Sequence, residues 1–382
     1  MKVLFAEYLT WNTPYRVGSH YYARHFVELG WEVGWLGGEF HLFNLIHNCA
    51  ELHRKAPLWR SGGVRHPNGP WEYVPFKLAP YRDWGPLGHP SLAWHSGSLT
   101  LPPVKRVLSQ HGFDRADLLW LSNPQAYPWL INEPGYDHIV YRAADNHALS
   151  QGIPASVMNI EQEIARKADA VLVVHPDSLD RFSATAPGRT IHMPNGVDLG
   201  RFLGEPAPPQ EYAALSGPIA VYVGSINYRF DTALLAEVAA RRPEVSFVII
   251  GEPVIDVSAL STQANVYLLG ARAPEMVPAY LRHADAGLIP FQELPATHNL
   301  LSIKIYEYAA SGIPTVHATM DLQAASGLPV ISATGGVQRF CDALDAALGW
   351  SAVEKAEARA FAAANSWDDR LRRVDEIIAR WS

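Results

Sequence analysis

Lys304 and Glu307 stand three positions apart in the segment SIKIYEYAASGIPTV, residues 302–316. The segment is typical of a helix that Gly312 and Pro314 bring to an end. A lysine in the first helical turn opposes the helix dipole, so it should cost stability unless an anion binds beside it. Unpaired backbone N–H groups at that end of a helix favour an anion as well. The spacing therefore makes Lys304 a candidate phosphate ligand.

Glu307 lies one turn further along the same helix, about 4.5 Å along the axis at about 1.5 Å per residue. A carboxylate at that distance could accept hydrogen bonds from ribose hydroxyls while the phosphates bind the helix N-terminus. One helix could in this way hold a nucleoside diphosphate. The alternative is that Lys304 and Glu307 are both ordinary solvated side chains.

A turn in the segment YVGSINYRFD is a second candidate ligand site. Gly224 and Ser225 follow a predicted strand and precede a predicted helix, and ligands of open parallel sheets bind at the carboxyl ends of strands. A glycine there lets the backbone approach a ligand closely. The segment lacks the spacing G-x-G-x-x-G, which disfavours an NAD-dependent dehydrogenase. The alternative is an ordinary turn.

In the first half of the chain, the segment TWNTPYRVGSHYY leads into a predicted helix. Gly18 and Ser19 offer backbone and hydroxyl donors there, and Arg16 offers a cation, so the pyrophosphate of a donor or an acceptor could bind. We predict that these three residues and His20 bind the acceptor. Packing is an equally good explanation for His20.

The elements that must position these residues alternate along the chain. Short apolar runs such as KVLFAE, DLLWLS and DAVLVV predict buried strands, and GSHYYARHFVELG predicts a helix that Ser19 caps and Gly30 ends. Strands that alternate with helices predict parallel sheets covered on both faces. The Pro-rich segment 204–217 predicts a linker, after which the alternation restarts. The sequence therefore predicts two α/β domains in tandem.

The composition limits the partners and the location. The chain has 382 residues, enough for two domains, and 48% hydrophobic with 18% charged residues is typical of a folded protein. A net charge of -7 without a basic tract disfavours nucleic-acid binding. The apolar run at the N-terminus is too short for a signal peptide, and no stretch approaches the roughly 20 apolar residues of a spanning helix. We therefore expect a cytoplasmic protein.

Aromatic residues concentrate in the first half of the chain. The chain has 12 Trp and 16 Tyr, and residues 31–130 are rich in Trp, Tyr, His and Pro. This pattern fits a loop-rich, packed domain. It also fits a cleft for a carbohydrate or lipid-linked ligand, or an aromatic belt at a membrane interface. Peripheral association with the inner face of the plasma membrane is therefore a further expectation.

Three segments together resemble the GT-B glycosyltransferases. SIKIYEYAASGIPTV resembles their donor-binding helix, HMPNGVDLGRF resembles the Asn-Gly-Val-Asp segment before their interdomain linker, and SWDDRL resembles their last helix. The resemblance implies an α/β fold of two Rossmann-like, doubly wound domains that face each other across a cleft. It implies an acceptor-binding domain over residues 1–203 and a nucleotide-sugar-binding domain over residues 217–362. A C-terminal helix over residues 363–382 would cross back to the first domain.

A closer resemblance is to the bacterial glucuronosyltransferases of xanthan synthesis and their relatives in teichuronic acid synthesis. YLTWNTPYRVGSHYYARHFVELG, VYRAADNHALS, YVGS and SIKIYEY carry it. It implies transfer from a nucleotide sugar, with UDP the expected nucleotide, to a saccharide or lipid-linked acceptor. A uronic acid is one expected donor sugar, with Arg142 or Arg229 beside its carboxylate. The expected donor-binding residues are Gly224, Ser225, Arg229, Arg272, Phe291, Ser302, Ile303, Lys304 and Glu307.

The same resemblance places Asp145, at the end of the predicted strand HIVYRAAD, on the catalytic base. An inverting transfer needs a base that takes the proton from the attacking hydroxyl. His147 and His175 are candidate supporting groups. The alternatives are an aspartate that caps a loop and histidines that are structural.

One position departs from the retaining GT-B enzymes, which carry a Glu-x7-Glu pair. Glu307 supplies the second acid, but Asn299 stands eight residues before it. This departure favours inversion and leaves a retaining transferase as the runner-up. A nucleotide-sugar 2-epimerase and a non-catalytic sugar-binding protein are further alternatives. No Asp-x-Asp motif occurs, and Cys49 and Cys341 lie far apart, so we expect neither a metal ion nor another cofactor.

Overall fold

The computed structural model divides the chain into two compact units. Unit 1 is Met1–Pro194 together with Arg373–Ser382, and unit 2 is Asn195–Arg372. The structure describes residues 1–13, 17–41, 49–149 and 152–381. Within these ranges, side chains are described everywhere except at residues 49–51.

A mostly parallel sheet forms the centre of unit 1. The strands of this unit are β1 (Lys2–Ala6), β2 (Glu32–Leu36), β3 (Phe40–His41), β4 (Val64–Arg65), β5 (Trp71–Tyr73), β6 (Phe76–Lys77), β7 (Thr100–Leu101), β8 (Ala116–Leu121), β9 (Tyr136–Ala143), β10 (Ala170–Val173) and β11 (Thr190–His192). Within the described residues, the main sheet has the order β11-β10-β9-β8-β1-β2-β5-β4, and β4 alone is antiparallel to its neighbour. The strands β3, β6 and β7 form a separate small sheet.

Helices connect the strands of unit 1, and aromatic side chains fill its core. The helices are α1 (Gly18–Glu28), α2 (Cys49–Arg60), α3 (Ser91–Trp94), α4 (Val104–Gln110), α5 (Val157–Lys167) and α6 (Leu179–Thr185). Trp35, Trp71 and Trp120 are almost fully buried. The ring of Phe5 stacks on both Trp35 and Trp120, with centroids 5.7 and 5.4 Å away. The packed-domain explanation of the aromatic residues is therefore correct for this group.

Helix α1 begins two residues earlier than a cap at Ser19 requires. Val17 is the N-cap residue, and its backbone N–H donates to Nδ1 of His20, 3.3 Å away. Ser19 lies inside the helix, so the prediction that it caps α1 is wrong. Gly30 follows the helix with a φ of +78°, a left-handed conformation that glycine adopts without steric cost, as predicted.

Unit 2 is built on a second parallel sheet. Its strands are β12 (Ile219–Val223), β13 (Ser246–Ile250), β14 (Val266–Gly270), β15 (Ala286–Ile289), β16 (Thr315–His317) and β17 (Val330–Ser332). In the described residues of this unit the order is β14-β13-β12-β15-β16-β17. The helices are α7 (Thr232–Arg241), α8 (Ser258–Ser261), α9 (Val277–Arg282), α10 (Ile303–Ser311), α11 (Leu322–Ala325), α12 (Val337–Leu348), α13 (Ala352–Ala364) and α14 (Trp367–Ile378).

The first border between the units lies at Pro194, before the predicted position. Val197 pairs with Ser366 through backbone hydrogen bonds, which ties the Asn-Gly-Val-Asp segment to unit 2. The predicted linker is also packed there, because the buried Tyr212 hydroxyl donates to the carbonyl of Tyr280, 3.1 Å away. These tertiary contacts leave no local signal in a Pro-rich segment.

The last part of unit 1 comes from the end of α14. Nε2 of His25 lies 2.8 Å from Oδ1 of Asp375, and the ring of Trp381 stacks on His138 with centroids 4.7 Å apart. The second border, at Arg372, therefore falls within a helix rather than in a loop.

Two kinds of feature are absent from the described residues. None of the helices that the structure describes is long and apolar enough to cross a membrane. The same residues contain no group of three or more His, Cys, Asp or Glu side chains that could hold a metal ion.

Candidate functional site

The N-terminus of α10 is the first part of the candidate site in unit 2. Ser302 is its N-cap residue, and the Ser302 hydroxyl accepts a hydrogen bond from the backbone N–H of Lys304 at 3.4 Å. Ile303 begins the helix, whose first turn carries no acidic side chain. The helix therefore presents backbone donors and a lysine at one point, as the sequence predicted.

The Lys304 ammonium group lies against aromatic rings. Its Nζ is 5.4 Å from the ring centroid of Tyr222 and 5.8 Å from that of Phe291. Burial lowers the pKa of Lys304 to about 8, while the charge of Glu307 opposes this shift and that of Arg229 adds to it. Within the described part of the chain, no carboxylate forms an ion pair with this ammonium group. An anionic ligand would supply the missing counter-charge.

Gly224 leaves the space that the lysine occupies. A Cβ atom on Gly224 would lie 2.6 Å from Cε and 2.7 Å from Nζ of Lys304, and the φ of Gly224 is +152°. Gly251 follows β13, and a side chain at this position would clash with Gly224. A Cβ on Gly251 would lie 1.8 Å from the carbonyl oxygen of Gly224. The two glycines thus fix the ends of β12 and β13 beside the lysine.

Glu307 is positioned by a residue that the sequence reasoning missed. Nη1 of Arg201 lies 3.3 Å from Oε1 of Glu307, and Nη2 of the same guanidinium donates to the carbonyl of Pro274 at 2.6 Å. Burial raises the pKa of Glu307, and the charges of Arg201 and Lys304 oppose that rise. The segment HMPNGVDLGRF holds Arg201, and only the folded chain shows that this arginine reaches α10.

A neutral histidine lies behind the lysine. Burial lowers the pKa of His317 to about 4, and the Lys304 charge also lowers it. Nδ1 of His317 accepts from the N–H of Thr319 at 3.2 Å, so Nε2 carries the proton toward the carbonyl of Leu300 at 3.3 Å. An uncharged imidazole at this position does not repel the ammonium group.

The remaining predicted donor residues divide into two groups. Phe291 forms a backbone bridge with Phe230, and its ring lies against the Lys304 ammonium group. The Ser225 carbonyl accepts a hydrogen bond at 2.8 Å from the hydroxyl of Tyr222, whose ring also lies against that ammonium group. Phe291 and Ser225 therefore both lie close to Lys304. Arg229 lies close enough for its charge to act on Lys304. Arg272 instead donates to the Tyr280 hydroxyl at 3.1 Å and pairs with Glu211 at 3.0 Å.

Asn299 has a structural reason to differ from glutamate. Its φ is +52°, a conformation that asparagine tolerates better than most residues. Its amide nitrogen donates to Oδ2 of Asp321 at 3.0 Å, and its amide oxygen accepts from the Asp321 N–H at 3.0 Å. Asp321 in turn caps α11 through the N–H of Ala324, 2.8 Å away. Both the nitrogen and the oxygen of the amide are therefore hydrogen-bonded within unit 2.

In unit 1, polar residues collect where β1, β8 and β9 end. Glu7 follows β1 and is buried, and its Oε1 accepts from the Ser122 hydroxyl at 2.8 Å. Burial raises the pKa of Glu7 to about 7, although Ser122, Arg142 and Ser19 oppose this rise. Sequence reasoning missed Glu7, because a single glutamate after a strand carries no local signal.

Asp145 lies at this same edge, two residues after β9, and its side chain is exposed. His175 follows β10, and burial lowers its pKa, whereas the charge of Asp145 opposes that shift. The structure thus brings the predicted base and one predicted supporting histidine together at the carboxyl end of the sheet.

His147 belongs to a chain of buried hydrogen bonds. Its Nε2 lies 2.8 Å from the Tyr8 hydroxyl, and its Nδ1 lies 3.0 Å from Oε1 of Glu161. Oε2 of Glu161 accepts from Nη1 of Arg181 at 3.1 Å. The hydroxyl of Tyr141 also donates to Oε1 of Glu161, at 2.5 Å.

The predicted acceptor residues are mostly enclosed. Gly18, Ser19 and His20 are buried at the start of α1. The Ser19 hydroxyl lies 3.4 Å from that of Ser122, and Nε2 of His20 lies 3.2 Å from the carbonyl oxygen of Thr10. Arg16 lies outside the described residues. His20 therefore contacts the segment before α1, and Ser19 contacts the residue that follows β8.

The known proteins that this chain resembles include glycosyltransferases. Residues 217–348 match the family described as glycosyl transferases group 1. The chain is 25% identical over 218 residues to TuaH of Bacillus subtilis (strain 168), whose assigned role is glycosyl transfer in teichuronic acid biosynthesis. The match covers 52% of this chain and 54% of TuaH, so it spans about half the length of that relative.

Solved structures resemble the chain over its whole length. Anabaena HepE in complex with UDP superposes with a TM-score of 0.71 at 16% identity, covering 100% of both chains. WaaG, a glycosyltransferase involved in lipopolysaccharide biosynthesis, gives a TM-score of 0.62 at 16% identity, covering 99% of both chains. These findings confirm the resemblance that SIKIYEY and HMPNGVD suggested. Residues 217–348 are therefore similar to a group 1 glycosyltransferase domain, and the chain as a whole has the fold of the GT-B glycosyltransferases.

Proposed function

We propose that this protein transfers a sugar from a UDP-sugar to a hydroxyl group of a saccharide or lipid-linked acceptor. The observation that carries the proposal is Lys304, a half-buried ammonium group at the N-terminus of α10 without a carboxylate partner among the described residues. A buried cation of this kind is costly unless an anion neutralises it. The complexes of HepE with UDP and UDP-glucose support a uridine diphosphate in that role.

The donor would lie along α10. Its diphosphate would contact the Lys304 ammonium and the first N–H groups of the helix, with Ser302, Ile303 and Gly224 around it. Glu307, which Arg201 holds, would accept hydrogen bonds from ribose hydroxyls. Stabilisation of the leaving diphosphate by a lysine and a helix terminus needs no metal ion, and we propose none.

Asp145 would act as the general base in an inverting transfer. It would accept the proton of the attacking hydroxyl while the bond from the anomeric carbon to the diphosphate breaks. The engaged amide of Asn299 supports inversion, because the site lacks the acid that retaining relatives place there. The anomeric configuration of the product, measured by proton NMR, distinguishes inversion from retention.

Two finer features belong to the same proposal. For a uronic acid donor, half-buried Arg229 is a better partner for the carboxylate than Arg142, which is buried beside Glu7. We also propose that the protein works at the cytoplasmic face of a membrane, where lipid-linked acceptors are found. The exposed side chains of Leu78, Trp84 and Leu101 in unit 1 support this location.

Calorimetric titration with UDP tests the donor site. Replacing Lys304 by Met should weaken UDP binding about 10- to 100-fold, because a charge-assisted hydrogen bond contributes about 1.5–3 kcal/mol. The matched control is Lys355→Met, which removes a lysine of α13 and should leave the affinity unchanged. Equal affinities for the wild type and Lys304→Met would contradict the proposed site.

A further inference from the structure

Helix α10 carries an ammonium group and a carboxylate that do not pair with each other. Lys304 and Glu307 are three positions apart on this helix, a spacing at which side chains of opposite charge are neighbours and can form an ion pair. Burial dominates the pKa shifts of both groups, but the charge of each also acts on the other. Among the described residues, however, Glu307 forms its ion pair with Arg201, which lies 106 positions away in the sequence.

The Arg201 guanidinium group has contacts with three different partners. Nη1 donates to Oε1 of Glu307 at 3.3 Å, and Nη2 donates to the carbonyl of Pro274 at 2.6 Å. Its Cζ also lies 5.6 Å from the ring centroid of Phe202, the next residue along the chain. The donors of a guanidinium group point in fixed directions, so one group can join two acceptors in a defined geometry. Arg201 therefore holds the Glu307 carboxylate at a fixed place.

This ion pair leaves part of the carboxylate available to a ligand. Within the part of the chain that the structure describes, Arg201 bonds to Oε1 of Glu307, and no other group bonds to this carboxylate. An ionised carboxylate has about four lone-pair sites, so acceptor positions remain after Arg201 has bonded. The Glu307 side chain is 19% exposed, which lets a ligand reach it.

The neighbouring charges indicate what Glu307 would do without Arg201. Besides Arg201, the charged groups that act on Glu307 are Lys304, which favours the carboxylate form, and Asp198, which opposes it. Without the guanidinium group, the carboxylate would be repelled by Asp198 and attracted by the ammonium group one turn away. A Lys304–Glu307 ion pair would then compete with any anionic ligand of Lys304.

We propose that Arg201 is a positioning residue that keeps the two charges of α10 apart: it holds Glu307 for the ribose hydroxyls and thereby leaves Lys304 unpaired for the diphosphate. The inference rests on the proposed function and extends it from the residues that touch the donor to one that acts through them. It implies that Arg201 affects the binding of a diphosphate that has no ribose.

Inorganic pyrophosphate tests this implication, because it offers Glu307 no ribose to bind. In calorimetric titrations at pH 7, Arg201→Met should weaken pyrophosphate binding about 3- to 10-fold, since Glu307 then competes for Lys304. In the Glu307→Gln background no carboxylate can compete, so the same Arg201→Met change should weaken binding by a clearly smaller factor. Equal factors in the two backgrounds would overturn the inference.

Arg242→Met is the matched control for the loss of an arginine from unit 2. Arg242 pairs with Asp345 at 2.6 Å, and its replacement should leave the Kd for pyrophosphate unchanged. Thermal unfolding shows whether each variant is folded. If Arg201→Met does not fold, Arg201→Lys takes its place, because one ammonium group does not reproduce the two directed bonds of the guanidinium group. The same comparison of the two backgrounds then decides.

Binding of 2′-deoxy-UDP tests the hold on Glu307 for the ribose. The wild type should bind UDP about tenfold more tightly than 2′-deoxy-UDP, because the deoxyribose lacks a hydroxyl that can donate to Glu307. Arg201→Met should reduce this ratio, whereas a purely structural loss would weaken both ligands equally. Arg242→Met should keep the wild-type ratio. An unchanged ratio in Arg201→Met would contradict the role of Arg201.

The outcomes separate the inference from the proposed function. A wild-type protein that binds neither UDP nor pyrophosphate would contradict the donor site itself. A wild-type protein that binds both, but in which Arg201→Met has the same effect with and without the Glu307 carboxylate, would overturn the role of Arg201 alone.

Discussion

At the scale of single residues, the site in unit 2 depends on a lysine whose charge is costly in the free protein. Two aromatic rings and a neutral histidine surround the Lys304 side chain, and its nearest acid, Glu307, is paired with Arg201. In the proposed function a bound diphosphate would recover this cost, so the feature that destabilises the free protein would strengthen the binding of the ligand.

This balance predicts a pH dependence for UDP binding. Burial lowers the pKa of Lys304 to about 8, so a growing fraction of the side chain is neutral as the pH rises above that value. Only the ammonium form attracts the diphosphate, whose phosphates are already ionised at pH 7 because their second pKa is about 6. UDP affinity should therefore fall about tenfold between pH 7 and pH 9 in calorimetric titrations.

The Lys304→Met variant is the control for that experiment. It lacks the titrating amine, so its weaker UDP affinity should change little over the same pH range. If the wild type and Lys304→Met lose affinity in parallel, another group is responsible for the pH dependence.

At the scale of elements, the ends of β12 and β13 control where the lysine can lie. In Gly224→Ala, the new Cβ would approach Cε of Lys304 within 2.6 Å. The far end of a lysine can swing away at little cost in stability, but its ammonium group would then leave the helix N-terminus. UDP binding should weaken about tenfold or more, and the backbone strain of an alanine at a φ of +152° should also cost about 1–3 kcal/mol of stability.

Gly270→Ala is the matched control in the same unit. Gly270 also has a positive φ, +68°, but a Cβ there would meet no atom within 4 Å. This variant should lose about 1 kcal/mol of stability from backbone strain and retain its UDP affinity. Normal UDP binding by Gly224→Ala would show that the position of the lysine does not matter.

Elements with a strong period or a buried apolar run could be predicted from the sequence. The strands β1, β8 and β12 and the helix α10 fall where the predicted segments lie, because each buries an apolar face that leaves a pattern along the chain. The two-residue strands β3, β6 and β7 carry no such pattern and could not be predicted. Their pairing is decided by tertiary contacts within an irregular, aromatic region.

The candidate site was predictable only where chemistry and spacing are local. Lys304 and Glu307 share one helix, so their spacing already suggests a joint role. Arg201 pairs with Glu307 and Gly251 packs against Gly224, each from a distant segment, and Tyr8 contacts His147 across 139 positions of sequence. Contacts of this kind depend on strand order, which one sequence does not reveal.

At the scale of the whole molecule, the chain has a net charge of -7, which works against binding to an anionic membrane. Membrane association would therefore depend on apolar side chains, and Trp84, 58% exposed, is the largest of these in unit 1. Co-sedimentation with vesicles of phosphatidylethanolamine and phosphatidylglycerol should bring down the wild type. Trp84→Ser should reduce the bound fraction several-fold, since a buried aromatic side chain contributes about 1.5–3 kcal/mol.

Leu322→Ser is the matched control for the membrane experiment. It removes another exposed apolar side chain, but from unit 2. Equal binding of this variant and the wild type is expected at both low and high salt. A wild-type protein that stays in the supernatant would refute the proposed location.

The division of unit 1 into Met1–Pro194 and Arg373–Ser382 has a consequence for how the protein is made. Ribosomes deliver a chain from its N-terminus, and domains generally fold as they emerge. All of Asn195–Arg372 is synthesised before Asp375 and Trp381, the partners of His25 and His138. The unit that begins translation is therefore the last to be completed, and a chain released before Arg373 would contain all of unit 2 but only part of unit 1.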